Sequence, residues 1–137
     1  MKILIDPLID QIYTQQKQVL PNQTAASFAK EEGEQYASVL ATPYLIAEME
    51  RVCADIIKPL LANNQVSVGA HIDIRHLAAT AVGANYRISA ALKEHKWGLF
   101  TFEVESFDDV GKTGAGRIVR AIAPLEKIQQ RADQSLP

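Results

Sequence analysis

An α+β fold is predicted for this chain, because one long helical pattern precedes several alternating segments of the kind that form antiparallel strands. The helical pattern runs from Val39 to Leu61, and the alternating pattern begins after Asn64. The chain has 137 residues, of which 47% are hydrophobic and 22% are charged. This length and composition suit one domain with a substantial core. We therefore expect residues 1–137 to form a single domain that combines one long helix with an antiparallel sheet.

The predicted helix has a start signal and two distinct faces. Thr42 is a candidate N-cap, and Pro43 suits the first helical position, where a missing N–H costs nothing. An apolar stripe, expected to be buried, comprises Leu45, Ile46, Met49, Val52, Cys53, Ile56 and Leu60. The opposite side is interpreted as a solvated face with Glu48, Arg51, Asp55 and Lys58. Glu50 lies at the margin of the apolar stripe, where a carboxylate needs a partner or a function.

Strict alternation predicts the first long strand. The face expected to be buried carries Val66, Val68, Ala70, Ile72 and Ile74. The other face carries Ser67, Gly69, His71, Asp73 and Arg75. His76 continues the buried series, so we expect His76 and Glu50 to share one site if the long helix packs on that face.

Further alternating segments complete the predicted sheet. Strands are expected at 86–93, 99–107 and about 111–123, and together with the first they predict a four-stranded antiparallel meander. The weakly alternating segment 11–20 is interpreted as an added edge strand, and a short helix is expected at 124–130. Gly114 and Gly116 indicate a bulge or a close backbone approach in the last strand.

The segment 23–38 leads directly into the long helix and is interpreted as a short helix and a loop. Phe28 and Tyr36 are its only large side chains. Because of its position we expect this segment to cover the helix N-terminus, as a lid does.

Charge and composition exclude several classes of protein. The net charge of −2 gives no reason to expect a nucleic acid or an anionic membrane as a partner. No apolar run approaches the roughly 18 residues of a membrane span. One cysteine cannot form an internal disulfide, and Asp6 interrupts the opening MKILID before a signal-peptide core, so a cytoplasmic location is expected. His71 and Asp73 lie two positions apart without a third ligand, so no metal site is predicted.

Three sequence blocks, taken together, are similar to the hotdog-fold thioesterases of the fluoroacetyl-CoA thioesterase type. The blocks are LATPYLIAEME at 40–50, GAHIDIRHLAATAVG at 69–83 and GAGRIVR at 114–120. Their order and spacing match that family over roughly Val39 to Ala123. One departure is Ile118, which stands where such proteins commonly have a histidine.

The resemblance implies a hotdog fold, in which an antiparallel sheet wraps around one long central helix. It also implies a homodimer whose two sheets join edge to edge, and hydrolysis of acyl-CoA near the dimer interface without a cofactor. The family's catalytic trio falls on Thr42, Glu50 and His76. Gly69 matches the glycine whose backbone lies at the reacting carbonyl, and Arg120 matches an arginine assigned to substrate binding.

Each of these residues also has an ordinary structural interpretation. Thr42 is also explained as a helix cap, Gly69 as relief of a strand bulge, and Cys53 as a core residue. Glu50 is also explained as an extended side chain that reaches solvent, and His76 as a core-edge histidine. Within the catalytic interpretation, Glu50 is either a general base or the nucleophile. For Arg75, Arg117 and Arg120, contacts to CoA phosphates and surface ion pairs both stay open.

The leading hypothesis is a thioesterase that converts a short or small substituted acyl-CoA to the carboxylic acid and free CoA. The alternative is a non-catalytic hotdog module that binds acyl-CoA or an acyl carrier, and a dehydratase or isomerase is less favoured. Bulky Leu45, Ile46 and Met49 follow Thr42 closely, which predicts a short acyl pocket.

Overall fold

The computed structural model describes residues 5–137. The expectation that the opening segment lacks a signal-peptide core falls partly on residues 1–4, which lie outside the described residues. One antiparallel sheet contains β1 (Ile12–Gln18), β2 (Gln65–His76), β3 (Asn85–Lys96), β4 (Leu99–Asp108) and β5 (Lys112–Pro124). The α-helices are α1 (Thr42–Ile57) and α2 (Leu125–Asp133). The α+β class is therefore confirmed. No helix within residues 5–137 is long and apolar enough to cross a membrane.

The strand order of the sheet is β1-β3-β4-β5-β2. Short turns join β3 to β4 and β4 to β5, so these three strands form the expected meander. The prediction of a four-stranded meander is wrong for β2, which pairs with β5 rather than with the next strand in sequence. The predicted N-terminal edge strand is present as β1, which pairs with β3. As a result, β1 and β2 are the two edges of the sheet.

Helix α1 lies on one face of the sheet and supplies the centre of the core. Its fully buried apolar side chains are Leu45, Met49, Val52, Cys53, Ile56 and Ile57. They belong to one cluster with sheet residues that include Tyr86, Ile88, Leu92, Phe102, Val104 and Ile118. Each such side chain contributes about 1.5–3 kcal/mol when it leaves water. The predicted apolar stripe is thus confirmed at five positions, whereas Ile46 and Leu60 are only partly buried.

Glu48 corrects the predicted solvated face of α1. It is 9% exposed, because β1 and β3 curve over that side of the helix. Its carboxylate lies 2.9 Å from Lys17 Nζ of β1 and 3.5 Å from Arg51 Nη1. Burial and the nearby Glu48 charge together raise the pKa of Tyr86 to about 12. Glu48 therefore joins the helix to the edge of the sheet, while the other three residues of that face are exposed as expected.

A β-bulge in β2 changes which side chains face the helix. The register against β5 shifts between Gly69 and His71, so Ala70 is an extra residue. Directly paired residues share a face, and the pairs Gly69–Arg120 and Ile72–Ile118 both lie on the side of α1. The predicted strict alternation is therefore wrong, because one extra residue reverses the faces. On the helix side of β2 are Ser67, Gly69, Ile72, Ile74 and His76.

The last strand approaches β2 closely, as its glycines predict. A Cβ on Gly116 would collide with the Asp73 carbonyl oxygen and lie 2.9 Å from Ile74 Cα. A Cβ on Gly114 would lie 2.6 Å from Ser106 Oγ. Both positions therefore exclude larger residues unless neighbouring atoms move.

The segment before α1 folds back on itself as a narrow loop. Two 3₁₀ turns, Pro21–Gln23 and Ala25–Phe28, replace the predicted short helix. The Ala25 N–H donates to the Val39 carbonyl at 2.9 Å, and the Phe28 ring lies 5.8 Å from the Tyr44 ring of α1. Residues 24–41 lie beside the start of α1 and are named the lid loop after the role predicted for residues 23–38.

Candidate active site

Thr42 and His76 form a direct hydrogen-bonded pair at one end of α1. Thr42 Oγ1 and His76 Nδ1 are 2.7 Å apart. Thr42 is the first helical residue, Ala41 occupies the N-cap position, and no side chain caps the helix. The interpretation of Thr42 as an N-cap is therefore wrong, since its hydroxyl is used on the imidazole instead.

His76 is held in a position that favours a neutral ring. Burial lowers the pKa of His76 below its ordinary value, and the nearby Ala78 backbone offsets this in part. The following turn is fixed because the Leu77 N–H donates to the Thr113 carbonyl at 2.8 Å. His76 Nε2 is buried and has no hydrogen-bond partner among residues 5–137. A ring that is neutral at pH 7 offers one N–H and one bare nitrogen, so it can donate one hydrogen bond and accept another.

Glu50 lies against the backbone of β2 at Gly69. A Cβ on Gly69 would collide with Glu50 Oε1, so only glycine leaves room for the carboxylate at this distance. The guanidinium of Arg120 donates from Nη1 to Glu50 Oε1 at 3.1 Å. The Glu50 side chain is 27% exposed, whereas that of Arg120 is 11% exposed. Glu50 is therefore a half-buried carboxylate with a buried cationic partner, which differs from a side chain that simply extends into solvent.

Ser67 is a member of this site that sequence reasoning missed. Its Oγ accepts from Arg120 Nε at 3.1 Å, and its carbonyl accepts from Arg120 Nη2 at 2.9 Å. Position gives the only sequence signal, because Ser67 precedes Gly69 by two and therefore shares its face. Glu50, Gly69, Arg120 and Ser67 are named the Glu50 cluster below.

The single chain does not bring all the predicted site residues together. Thr42 and Glu50 are eight positions apart on α1, which corresponds to about 12 Å along the helix axis. The Thr42–His76 pair lines an opening of about 370 Å³ beside the lid loop. Glu50 and Gly69 line a different opening of about 360 Å³ at the edge of β2.

The environments of the remaining candidate residues separate structural roles from possible site roles. Cys53 is buried, and burial raises the pKa of its thiol to about 12, which keeps it protonated and supports its interpretation as a core residue. Arg117 lies 3.8 Å from Glu103 on the exposed face, whereas Arg120 points inward. In the part of the chain from residue 5 onward, no group of three or more His, Cys, Asp or Glu side chains is placed to hold a metal ion.

One antiparallel sheet around a long central helix is the architecture of the hotdog fold. A solved fluoroacetyl-CoA thioesterase matches with a TM-score of 0.88 at 27% identity, covering 94% of this chain and 97% of that chain. The profile of the fluoroacetyl-CoA-specific thioesterase family matches residues 19–126, so the chain belongs to that family. The predictions of a hotdog fold and of a thioester hydrolase are therefore confirmed.

One further relative and one further solved structure are similar to this chain, the second in its fold alone. The fluoroacetyl-CoA thioesterase of Streptantibioticus cattleyicolor is 29% identical over 121 residues, which is 87% of each chain. A solved thioesterase superfamily member of Thermus thermophilus shares the fold, with a TM-score of 0.81 at 24% identity and coverage of 92% of this chain and 90% of that chain.

Proposed function

We propose that this protein hydrolyses acyl-CoA thioesters whose acyl group is short or carries small substituents, releasing a carboxylic acid and free CoA. The observation that carries the proposal is the Glu50 carboxylate, which lies against the Gly69 backbone with only Oε1 bonded to Arg120. The relative from Streptantibioticus cattleyicolor is named for fluoroacetyl-CoA, whose acyl group is small and substituted.

Glu50 supports two routes of attack on the thioester carbonyl carbon. In the first, the carboxylate removes a proton from water as the water oxygen attacks. In the second, the carboxylate itself attacks and forms an anhydride, which water then opens. In both routes the C–S bond breaks and the thiolate leaves with the electron pair of that bond. The Gly69 N–H is proposed to stabilise the oxyanion, because residue 69 carries no side chain of its own beside the Glu50 carboxylate.

The Thr42–His76 pair is proposed to interact with the sulfur of the leaving group or with the carbonyl oxygen. A neutral His76 with an N–H on Nε2 donates a hydrogen bond to the carbonyl oxygen or to the departing sulfur. Transfer of a proton to that sulfur requires that His76 is first protonated to the imidazolium form. Thr42 holds the imidazole through Nδ1, which supports this orientation of Nε2. Because a thiolate is a stable leaving group near neutral pH, His76 contributes less to the rate than Glu50 does.

A homodimer is part of the proposal, since it joins the two halves of the site. β2 is an edge strand, and an unpaired edge is a ready template for a second strand. If two β2 strands pair antiparallel around a two-fold axis, the His76 end of one copy approaches the Gly69 end of the other. In this arrangement the Thr42–His76 pair of one copy serves Glu50 of its partner across the interface.

Mixed dimers test this shared site. We expect a purified heterodimer of Glu50→Gln and His76→Ala chains to recover about half of wild-type turnover, because one of its two sites receives an intact Glu50 and an intact His76. Each chain is tagged differently, and free thiol release is measured after two-tag purification. A heterodimer of Thr42→Ala and His76→Ala is the matched control and is not expected to recover. A mixed dimer as inactive as its parents would place each complete site within one chain.

The size of the acyl group gives the direct test of function. The rate of thiol release is expected to peak among short or small substituted acyl-CoAs and to be low for palmitoyl-CoA. Each methylene that fits an apolar pocket contributes about 0.8 kcal/mol, so kcat/KM rises roughly fourfold per carbon only until the pocket is full. A steady rise to long chains would contradict the short pocket. Tight binding without thiol release from any substrate would favour the non-catalytic module.

Domain organisation and location in the cell are also part of the proposal. Residues 1–137 are taken as one hotdog domain, of which the family profile covers residues 19–126. A cytoplasmic location is proposed because the single cysteine, Cys53, is a buried free thiol, as is usual in a reducing compartment.

A further inference from the structure

We propose that Ser67 is a positioning residue for the hydrolysis, acting through Arg120 on the Glu50 carboxylate. This inference rests on the proposed function, because it concerns the geometry of the carboxylate in that reaction. The inference does not require Ser67 or Arg120 to contact the substrate.

The contacts of Arg120 carry the inference. All three nitrogen atoms of its guanidinium donate hydrogen bonds, and two of the three go to one residue, Ser67. The guanidinium is planar and rigid, so fixing Nε and Nη2 also fixes the direction of Nη1. Nη1 is the atom that donates to Glu50 Oε1. Ser67 therefore sets the plane of the group that holds the carboxylate.

Because Arg120 is buried, its guanidinium has few alternative hydrogen-bond acceptors. Arg120 is 9% exposed, so water has little access to replace a lost protein acceptor. A buried cation that loses an acceptor moves toward whatever acceptors remain. Without the Ser67 hydroxyl, those acceptors are the Ser67 carbonyl and the Glu50 carboxylate. The guanidinium is then expected to rotate and take Glu50 with it.

The bulge at Ala70 is what makes Ser67 available. Because the extra residue reverses the faces of β2, Ser67 and Gly69 both point toward α1. Gly69 leaves room for the carboxylate, and Ser67 anchors the arginine behind it. Arg120 occupies Oε1, while Oε2 accepts no hydrogen bond from the described residues. The cluster thus presents one defined oxygen for the reaction.

A positioning role predicts a loss of kcat with little change in KM. Ser67→Ala removes the hydroxyl acceptor and keeps the carbonyl, and we expect kcat to fall about tenfold with KM unchanged within about twofold. Ser67→Thr keeps the hydroxyl on a strand-favouring residue and is expected to restore most of the rate. Ser89→Ala is the matched control, because it removes a serine bond to Thr14 on the opposite face and leaves the Glu50 cluster intact.

A double-mutant cycle separates positioning from a general effect on stability. In the Glu50→Gln background, Ser67→Ala is expected to cause no further loss of residual turnover, because the group it positions is already gone. If Ser67→Ala fails to fold, Ser67→Cys replaces it, since a thiol has a similar shape and is a weak acceptor. Losses that multiply in the double variant, or a rise in KM alone, would overturn the inference. A wild-type protein that releases no thiol would instead contradict the proposed function.

Discussion

Glu50→Gln is expected to lower turnover of small acyl-CoAs by at least about 100-fold while leaving fold and assembly intact. An amide neither removes a proton from water nor attacks a carbonyl as a carboxylate does. Glutamine has the same size as glutamate, and its carbonyl oxygen can still accept from Arg120 Nη1. The change is measured by free thiol release, and light scattering checks the assembly.

Glu48 offers a matched control for this variant. It is a second carboxylate of α1, buried and bonded to Lys17, but it faces β1 and not β2. Glu48→Gln is therefore expected to lower the free energy of unfolding and to leave kcat nearly unchanged. If Glu50→Gln instead retains near-normal turnover, Glu50 is a structural carboxylate and the carboxylate mechanism fails.

Gly69→Ala should reduce turnover by a similar factor, about 100-fold, through displacement of the Glu50 carboxylate. The added methyl group would meet the end of a side chain rather than fixed backbone, so the fold can adapt by moving Glu50. Such a shift breaks the contact with Arg120 and leaves the carboxylate out of line with the carbonyl carbon. Thermal unfolding and thiol release, measured on the same preparation, separate the two effects.

Gly111→Ala provides the comparison for Gly69→Ala. A Cβ at Gly111 would meet nothing within 4 Å, so the same chemical change there is expected to have little effect on rate. A Gly69→Ala protein with normal kcat would mean that Glu50 tolerates displacement. The close approach between Glu50 and the β2 backbone would then have no part in catalysis.

The helical period and the alternation of side chains along a strand are sufficient to predict some parts of the site. The 3.6-residue period places Glu50 at the edge of the apolar stripe, and there the structure has it half buried. The even positions of Ile72, Ile74 and His76 follow one another without interruption, so their common face is predicted correctly. These features are local, and they depend only on the regular geometry of one element.

Other parts depend on contacts between distant segments and are not visible in the sequence. The partner of Glu50 is Arg120, 70 positions later, and nothing local to either residue indicates the pair. Glu48 is buried because β1 reaches it from the start of the chain. The bulge is hidden since Ala70 suits either face, and alternation therefore continues through it without a break. The pairing of β2 with β5 likewise follows from the whole sheet and not from proximity in sequence.

The extra residue in β2 divides this strand into two halves that are out of phase. Odd-numbered residues before Ala70 and even-numbered residues after His71 point toward α1. In a survey of polar substitutions, the restrictive position after the bulge is expected to be Ile74, which packs against the core cluster, and not Ile72, which is 42% exposed at the sheet edge. Whether a position of β2 tolerates a polar side chain therefore depends on which side of the Ala70 bulge it lies, as well as on the side chain itself.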